Sequence, residues 1–89
     1  MIEFVETFRE DGSAFVRMKA NGLPTTRDAT DYTYRIIIAP DGWCESRSRA
    51  HGAGSTRYRV FRTYAEAQAH GIKWAKRKIA EAKKARETA

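Results

Sequence analysis

"RYRVFRTYAEAQAHG", residues 57–71, decides the fold. Its first six residues alternate, with Arg57, Arg59 and Phe61 on one side and Tyr58, Val60 and Arg62 on the other. A period of two is that of a strand. At Thr63 the alternation stops. Thr63-Tyr64-Ala65-Glu66 has the spacing of a capping box, in which the Thr hydroxyl accepts the amide of residue 66 and the Glu side chain reaches back. From there the chain is rich in Ala, Lys and Glu to about Arg86, so a helix is expected over 63–86. A strand therefore hands over to a long helix with almost no connection between them.

Upstream, the alternation recurs. Tyr32 to Ala39 is β-branched and aromatic and ends at Pro40-Asp41-Gly42, a turn. Trp43 to Arg49 alternates again, and the glycine-rich tip "AHGAGST" (50–56) leads into the strand at 56–62. These three strands make a meander over 32–62. Residues 2–9 and 13–20 also alternate, around Glu10-Asp11-Gly12-Ser13, where Asp-Gly marks a hairpin whose two turn residues both tolerate positive φ. The breakers Asn21-Gly22 and Leu23-Pro24 open a loop over 21–31. The expected fold is α+β: a single domain over 1–89, with an antiparallel sheet of about five strands (hairpin 2–20, meander 32–62) packed against one long C-terminal helix.

On a helical wheel Ala65, Gln68, Ile72, Ala75, Ile79 and Ala82 share a face. That stripe is mostly alanine, which lets the helix lie close to the sheet. Gly71 costs a helix about 1 kcal/mol relative to alanine, and close approach of another backbone is its expected reason. Trp74 falls almost opposite Ile72, beside His70 and near Arg77 and Lys78. It either packs under the N-terminal hairpin or serves as an exposed contact.

The 89 residues are 42% hydrophobic and 31% charged, a balance that supports a small core and argues against disorder. No apolar run approaches the ~18 residues of a membrane span. The first twenty residues mix acids with apolar side chains, unlike a signal peptide. Cys44 stands alone, so neither an internal disulfide nor a cysteine zinc site is expected. A cytoplasmic location without membrane contact follows as the expectation.

Charge is polarised. Residues 1–46 hold five Lys/Arg against eight Asp/Glu, and residues 47–89 hold twelve against three, within a net charge of +6. A basic half of this kind suits an acidic partner, nucleic acid first. Catalysis finds no support: His51 and His70 share metal-ligand spacing with no Cys or carboxylate, and no nucleophile stands beside a base. No metal or cofactor is expected. The tip "AHGAGST" lacks the Gly-Lys-Ser/Thr and following helix of a Walker loop, so it is read as a hairpin tip rather than a phosphate cradle.

The arginines carry more information. If Tyr34, Ile36, Ile38, Tyr58 and Val60 face the helix, the other face gathers Arg35, Trp43, Arg47, Arg49, Arg57 and Arg59. Guanidinium forks suit phosphate oxygens and guanine edges, and Trp can lie against sugar or base. The bland alternative is a solvated face with cross-strand pairs to Glu45. Lys73 and Arg77 join the site from the helix, whose C-terminal half also carries Lys76, Lys78, Lys83, Lys84 and Arg86. Cations near a helix C-terminus are favoured by its dipole in any case.

The succession "YRIII", "GWCESR" and "RYRVFRTYAEAQAHG" resembles the ethylene-response-factor type of DNA-binding domain and the arm-binding domains of some phage integrases. The resemblance covers about residues 32–80. In that family a three-stranded sheet backed by one helix lays exposed Arg and Trp residues in the major groove. It implies DNA contact by Arg35, Trp43, Arg47, Arg49, Arg57 and Arg59.

The expected function is thus non-catalytic nucleic-acid binding, DNA before RNA. The alternative is a small inhibitor or adaptor of phage or mobile-element type that contacts an acidic protein surface, with Tyr64, His70 and Trp74 as contact residues. A homodimer through a sheet edge or the Trp74 face is a third expectation.

Overall fold

The computed structural model describes residues 2–23, 32–49 and 56–88. The fold is α+β, with five antiparallel strands in one sheet and a single C-terminal helix on one side of it. The strands β1 (Ile2–Phe8), β2 (Ala14–Ala20), β3 (Thr33–Ile38), β4 (Cys44–Arg49) and β5 (Arg57–Phe61) lie in chain order, and α1 covers Tyr64–Thr88. The N-terminal hairpin does not cover the meander; β2 pairs with the free edge of β3 and widens the sheet. The tip at 50–55 and most of the loop at 21–31 fall outside the described residues.

Two of the turns are built the same way. In Arg9–Ser13 the Arg9 amide donates to the Ser13 carbonyl at 2.9 Å and the Gly12 amide to the Arg9 carbonyl at 3.2 Å. In Ala39–Trp43 the matching distances are 2.8 and 2.9 Å. Each Asp carboxylate accepts the amide two residues on, Asp11 from Ser13 at 2.9 Å and Asp41 from Trp43 at 3.1 Å. Only the glycines have positive φ, +86° at Gly12 and +95° at Gly42. These are therefore three-residue hairpin loops with glycine at the left-handed position, not two-residue turns with both residues left-handed. The Asp carboxylate adds a hydrogen bond inside each loop, and one left-handed residue is all such a loop requires.

Cross-strand partners share a face, so the register assigns every side chain. The face under α1 carries Ala14, Val16 and Met18 from β2, Tyr34, Ile36 and Ile38 from β3, and Cys44, Ser46 and Ser48 from β4. Val16, Tyr34, Ile36, Cys44, Ala67, Trp74 and Ala75 form the buried core. Ala67, Gly71 and Ala75 recur every four residues and bring the helix down onto Tyr34. The Tyr34 hydroxyl then donates to the Ala67 carbonyl at 2.8 Å, tying the centre of the sheet to the helix backbone.

The buried stripe is rotated from the one expected. Ala65 is exposed and Ile72 only half-buried, while Ala67, Gly71 and Trp74 are buried. Trp74 packs beside Tyr34 with ring centroids 5.8 Å apart. It is therefore core, and it is unavailable as a surface contact. A wheel built on aliphatic residues passed over the indole as the largest apolar body on the helix. Gly71 does mark a close approach, but of the Tyr34 ring rather than of backbone: a Cβ there would lie 2.6 Å from the Tyr34 Cε1.

The larger correction concerns β5. Its register sets Ser48 opposite Arg57, Ser46 opposite Arg59 and Cys44 opposite Phe61. Arg57 and Arg59 therefore point to the helix side, and Tyr58 and Val60 point to the open face, each 63% exposed. The arginines expected on one face are split between two. Alternation within β5 fixes which residues go together but not which set faces inward. Here the helix beside this edge presents Arg77 and Lys78 rather than an apolar surface, so β5 gains little by burying Tyr58 and Val60.

Candidate nucleic-acid interface

Among the described residues no element covers the sheet face opposite α1. Reading across the strands, Arg17 pairs with Arg35, Arg35 with Arg47, and Arg47 with Tyr58. Three arginines thus stand in a line on adjacent strands. The neighbouring row runs Thr7, Phe15, Ile37, Glu45 and Val60. Arg49 and Lys19 extend the basic zone toward one end, and Trp43 stands at the other, 46% exposed.

Like charges directly opposite one another destabilise a sheet by a few tenths of a kcal/mol to about 1 kcal/mol per pair. The row is only partly relieved. Glu45 binds Arg47 at 3.1 Å, and the Arg47 guanidinium lies over the Tyr58 ring, 5.4 Å from its centroid. Arg17 and Arg35 have no carboxylate partner among the described residues. Arg62 leans over Trp43 at 6.0 Å, so the indole also has a cation against it.

A second basic surface lies on the other side. A groove of about 550 Å³ between β5 and the second half of α1 is lined by Arg57, Arg59, Arg77 and Lys78, with Ser46, Ser48, His70 and Trp74 among the residues behind them. Its one carboxylate among the described residues, Glu81, pairs with Lys78 at 3.4 Å. Burial first, then the charges of Arg59, Arg77 and Lys73, hold the His70 pKa below the usual histidine value. Since the Tyr34 hydroxyl gives its proton to Ala67, the 3.0 Å contact from His70 Nδ1 has Nδ1–H as donor, and Nε2 keeps its lone pair. Burial raises the Tyr34 phenol, against the pull of Ser46 and the charge of Arg59.

Arg35, Arg47, Arg49 and Trp43 are therefore together on the open face. Arg57, Arg59, Lys73 and Arg77 are not with them; Arg57, Arg59 and Arg77 meet His70 on the helix side, and Lys73 is exposed on the helix within reach of its charge. Tyr64 sits half-buried at the start of α1, where burial and the nearby Glu6 carboxylate push its pKa up to about 12. Among the described residues its buried hydroxyl has no hydrogen-bond partner, and the Glu6 charge disfavours the phenolate. The Cys44 thiol is buried and its pKa is raised by that burial, which leaves it unreactive.

Sequence reasoning missed Arg17 and Tyr58. Arg17 was legible as alternating with Val16, but nothing local says that β2 pairs with β3. Tyr58 is expected inward with Val60 when the arginines of β5 are set outward, and the register reverses both.

Among the described residues no three His, Cys, Asp or Glu are grouped to hold a metal ion, and no helix is long and apolar enough to cross a membrane. No protein-family model, curated protein or solved structure matches the chain.

Proposed function

We propose that the protein binds nucleic acid, DNA in preference to RNA, on the open face of its sheet, as a binding module rather than an enzyme. The observation that carries this is the Arg17–Arg35–Arg47 row. A fold gains nothing from three opposed guanidinium groups, whereas a polyanion laid across them removes the repulsion and releases its own counterions. Strands spaced about 4.8 Å apart spread the row over about 10 Å, which is compatible with a B-form major groove about 12 Å wide. The deep, narrow major groove of an RNA helix does not admit such a surface. Tyr58 ends the row and Trp43 stands beyond the neighbouring Glu45 row, and both offer rings to sugar or base. In this reading the contacts are Arg17, Arg35, Arg47, Arg49, Trp43 and Tyr58.

A second reading has one specific support. Phe15, Ile37 and Val60 share a row on the same face, with Tyr58 and Trp43 beside them. A small inhibitor or adaptor docking on an acidic protein would use such a mixed surface.

The test is binding of a short fluorescent duplex across a salt series. Replacing Arg17, Arg35 and Arg47 by Thr should weaken binding by roughly tenfold or more at low salt and flatten the logarithmic salt slope by about 0.9 per lost phosphate contact. Arg35→Thr alone should leave the fold intact and stabilise it by up to about 1 kcal/mol, because it removes two like-charge neighbours. A folded triple variant with an unchanged slope ends the proposal. Retention of an acidic protein partner with weak salt dependence, and no duplex binding, would favour the second reading.

A further inference from the structure

The groove on the helix side has chemistry of its own, and the argument for it is independent of the open face. Four cations reach it from two elements. Arg57 and Arg59 stand two residues apart on the same side of β5, and Arg77 and Lys78 project from α1. Among the described lining residues the sole carboxylate, Glu81, is bound to Lys78. A solvated basic helix end would spread its cations into water. Here cations from strand and helix converge on one concavity, with the Ser46 and Ser48 residues, the Trp74 indole and the His70 imidazole among its walls.

Ser46 and Ser48 are themselves buried, at 1% and 7% exposure, so polar residues lie at the back of the groove. Its volume of about 550 Å³ is within the range of small-molecule sites, roughly 300–1,000 Å³, and leaves room for more than one anionic group. Planar guanidinium forks match phosphate oxygens in pairs, and a lysine ammonium adds a compact point charge, while the Ser46 hydroxyl behind them is held by the Arg59 carbonyl at 3.4 Å.

We propose that this groove binds a phosphate monoester, gripped between Arg57 and Arg59 on the strand and Arg77 and Lys78 on the helix. The dianion balances most of the excess positive charge of the lining residues, and the remaining volume takes the organic part of the ligand. The phosphate can belong to a free small molecule or to the 5′ end of a nucleic-acid strand. The chemistry is common to both, and the experiment separates them.

His70 reports occupancy. Its imidazole lies within the field of Arg59, Lys73 and Arg77, with the Tyr34 hydroxyl on Nδ1 and the Phe61 ring beside it, and those charges help keep it neutral. Glu81 also lines the groove, but it is neutralised by Lys78. A phosphate dianion beside Arg59 and Arg77 cancels their field at His70 and favours the imidazolium, so the His70 pKa rises on binding.

The experiment uses the full chain and four probes: adenosine 5′-monophosphate, adenosine, and one short single-stranded oligonucleotide with either a 5′-phosphate or a 5′-hydroxyl. Calorimetry measures affinity and NMR follows the His70 ring through a pH titration. Adenosine 5′-monophosphate should bind roughly tenfold or more tightly than adenosine. Saturation should move the His70 midpoint upward. Arg59→Ala with Arg77→Ala should remove both effects, whereas the Arg17, Arg35 and Arg47 triple variant should keep them. If the alanine pair does not fold, Arg59→Gln with Arg77→Gln serves in its place. A 5′-phosphate preference in the oligonucleotide greater than the preference for the mononucleotide over adenosine assigns the site to strand ends. Binding of the mononucleotide with no preference between the oligonucleotides assigns it to free phosphorylated molecules. The proposal is overturned if neither phosphate-bearing probe is preferred to its phosphate-free counterpart, or if the preference survives removal of Arg59 and Arg77. Because the triple variant acts only on the open face, failure here leaves the nucleic-acid reading standing, and the reverse also holds.

Discussion

Gly71→Ala should destabilise the protein, although alanine is the better helix former. The new Cβ would lie 2.6 Å from the Tyr34 Cε1, 3.0 Å from Cδ1 and 3.1 Å from Cζ. Carbon atoms rest at about 3.5–4.0 Å, so the ring must retreat by nearly an ångström or the helix must lift. Neither is easy. Tyr34 is 1% exposed, its ring packs beside Trp74 and His70, and its hydroxyl is held by Ala67 and His70. Alanine returns up to about 1 kcal/mol of helix propensity. Overpacking of a close-fitted core costs about 1–3 kcal/mol, and a strained hydroxyl bond about another 0.5–1.5. The net loss is about 1–3 kcal/mol. For a chain of this length each kcal/mol lowers the thermal midpoint by about 4–8 °C, so a fall of roughly 5–20 °C is expected in a circular-dichroism melt. In a Tyr34→Leu background the contact is gone, and the same substitution should be neutral or stabilising. A midpoint at or above wild type for Gly71→Ala alone would refute the packing of helix on ring.

Two further outcomes follow from the core and from His70. Trp74→Ala should cost about 3–5 kcal/mol, and Ile72→Ala distinctly less, because Trp74 is buried in the core and Ile72 is half-exposed outside it. Urea unfolding of both variants checks the order, and equal losses would put the helix face back where the aliphatic wheel had it. The native His70 pKa is lowered, so between that value and about 6.5 the unfolded chain binds a proton that the native chain does not. Stability should therefore be complete above about pH 6.5 and decline as the pH falls toward the lowered native value. His70→Gln should remove that part of the slope, and an unchanged pH profile would mean that the imidazole is not held neutral.

Much of the architecture was legible because it rests on local chemistry. Alternation, the two Asp-Gly turns and the Thr63–Glu66 cap lie within a few residues of one another, and each works whatever the rest of the chain does. At the cap, the Glu66 amide donates to the Thr63 hydroxyl oxygen at 3.2 Å as expected, while the Glu66 carboxylate accepts that hydroxyl's proton instead of the Thr63 amide. The candidate site was half legible. Arg35, Arg47 and Arg49 share a face with Trp43 since all four belong to one hairpin, where the short Pro40–Gly42 turn sets the phase between strands.

From the sequence alone come the class of fold, the order of its elements, the concentration of positive charge in the second half, and the sets of residues that travel together along each strand and around the helix. Which set of each strand turns inward was decided only in the tertiary structure. Period two is symmetric: it separates two faces without labelling them, and the label comes from what the neighbouring strand and the helix present. For β2, β3 and β4 the inward set was settled by the small-residue helix stripe and the buried Tyr34. For β5, at the sheet edge beside a basic stretch of helix, it was settled in favour of Arg57 and Arg59, against the polarity of the residues themselves. The same long-range pairing placed Arg17 beside Arg35, and no interaction within either strand's own sequence specifies that meeting.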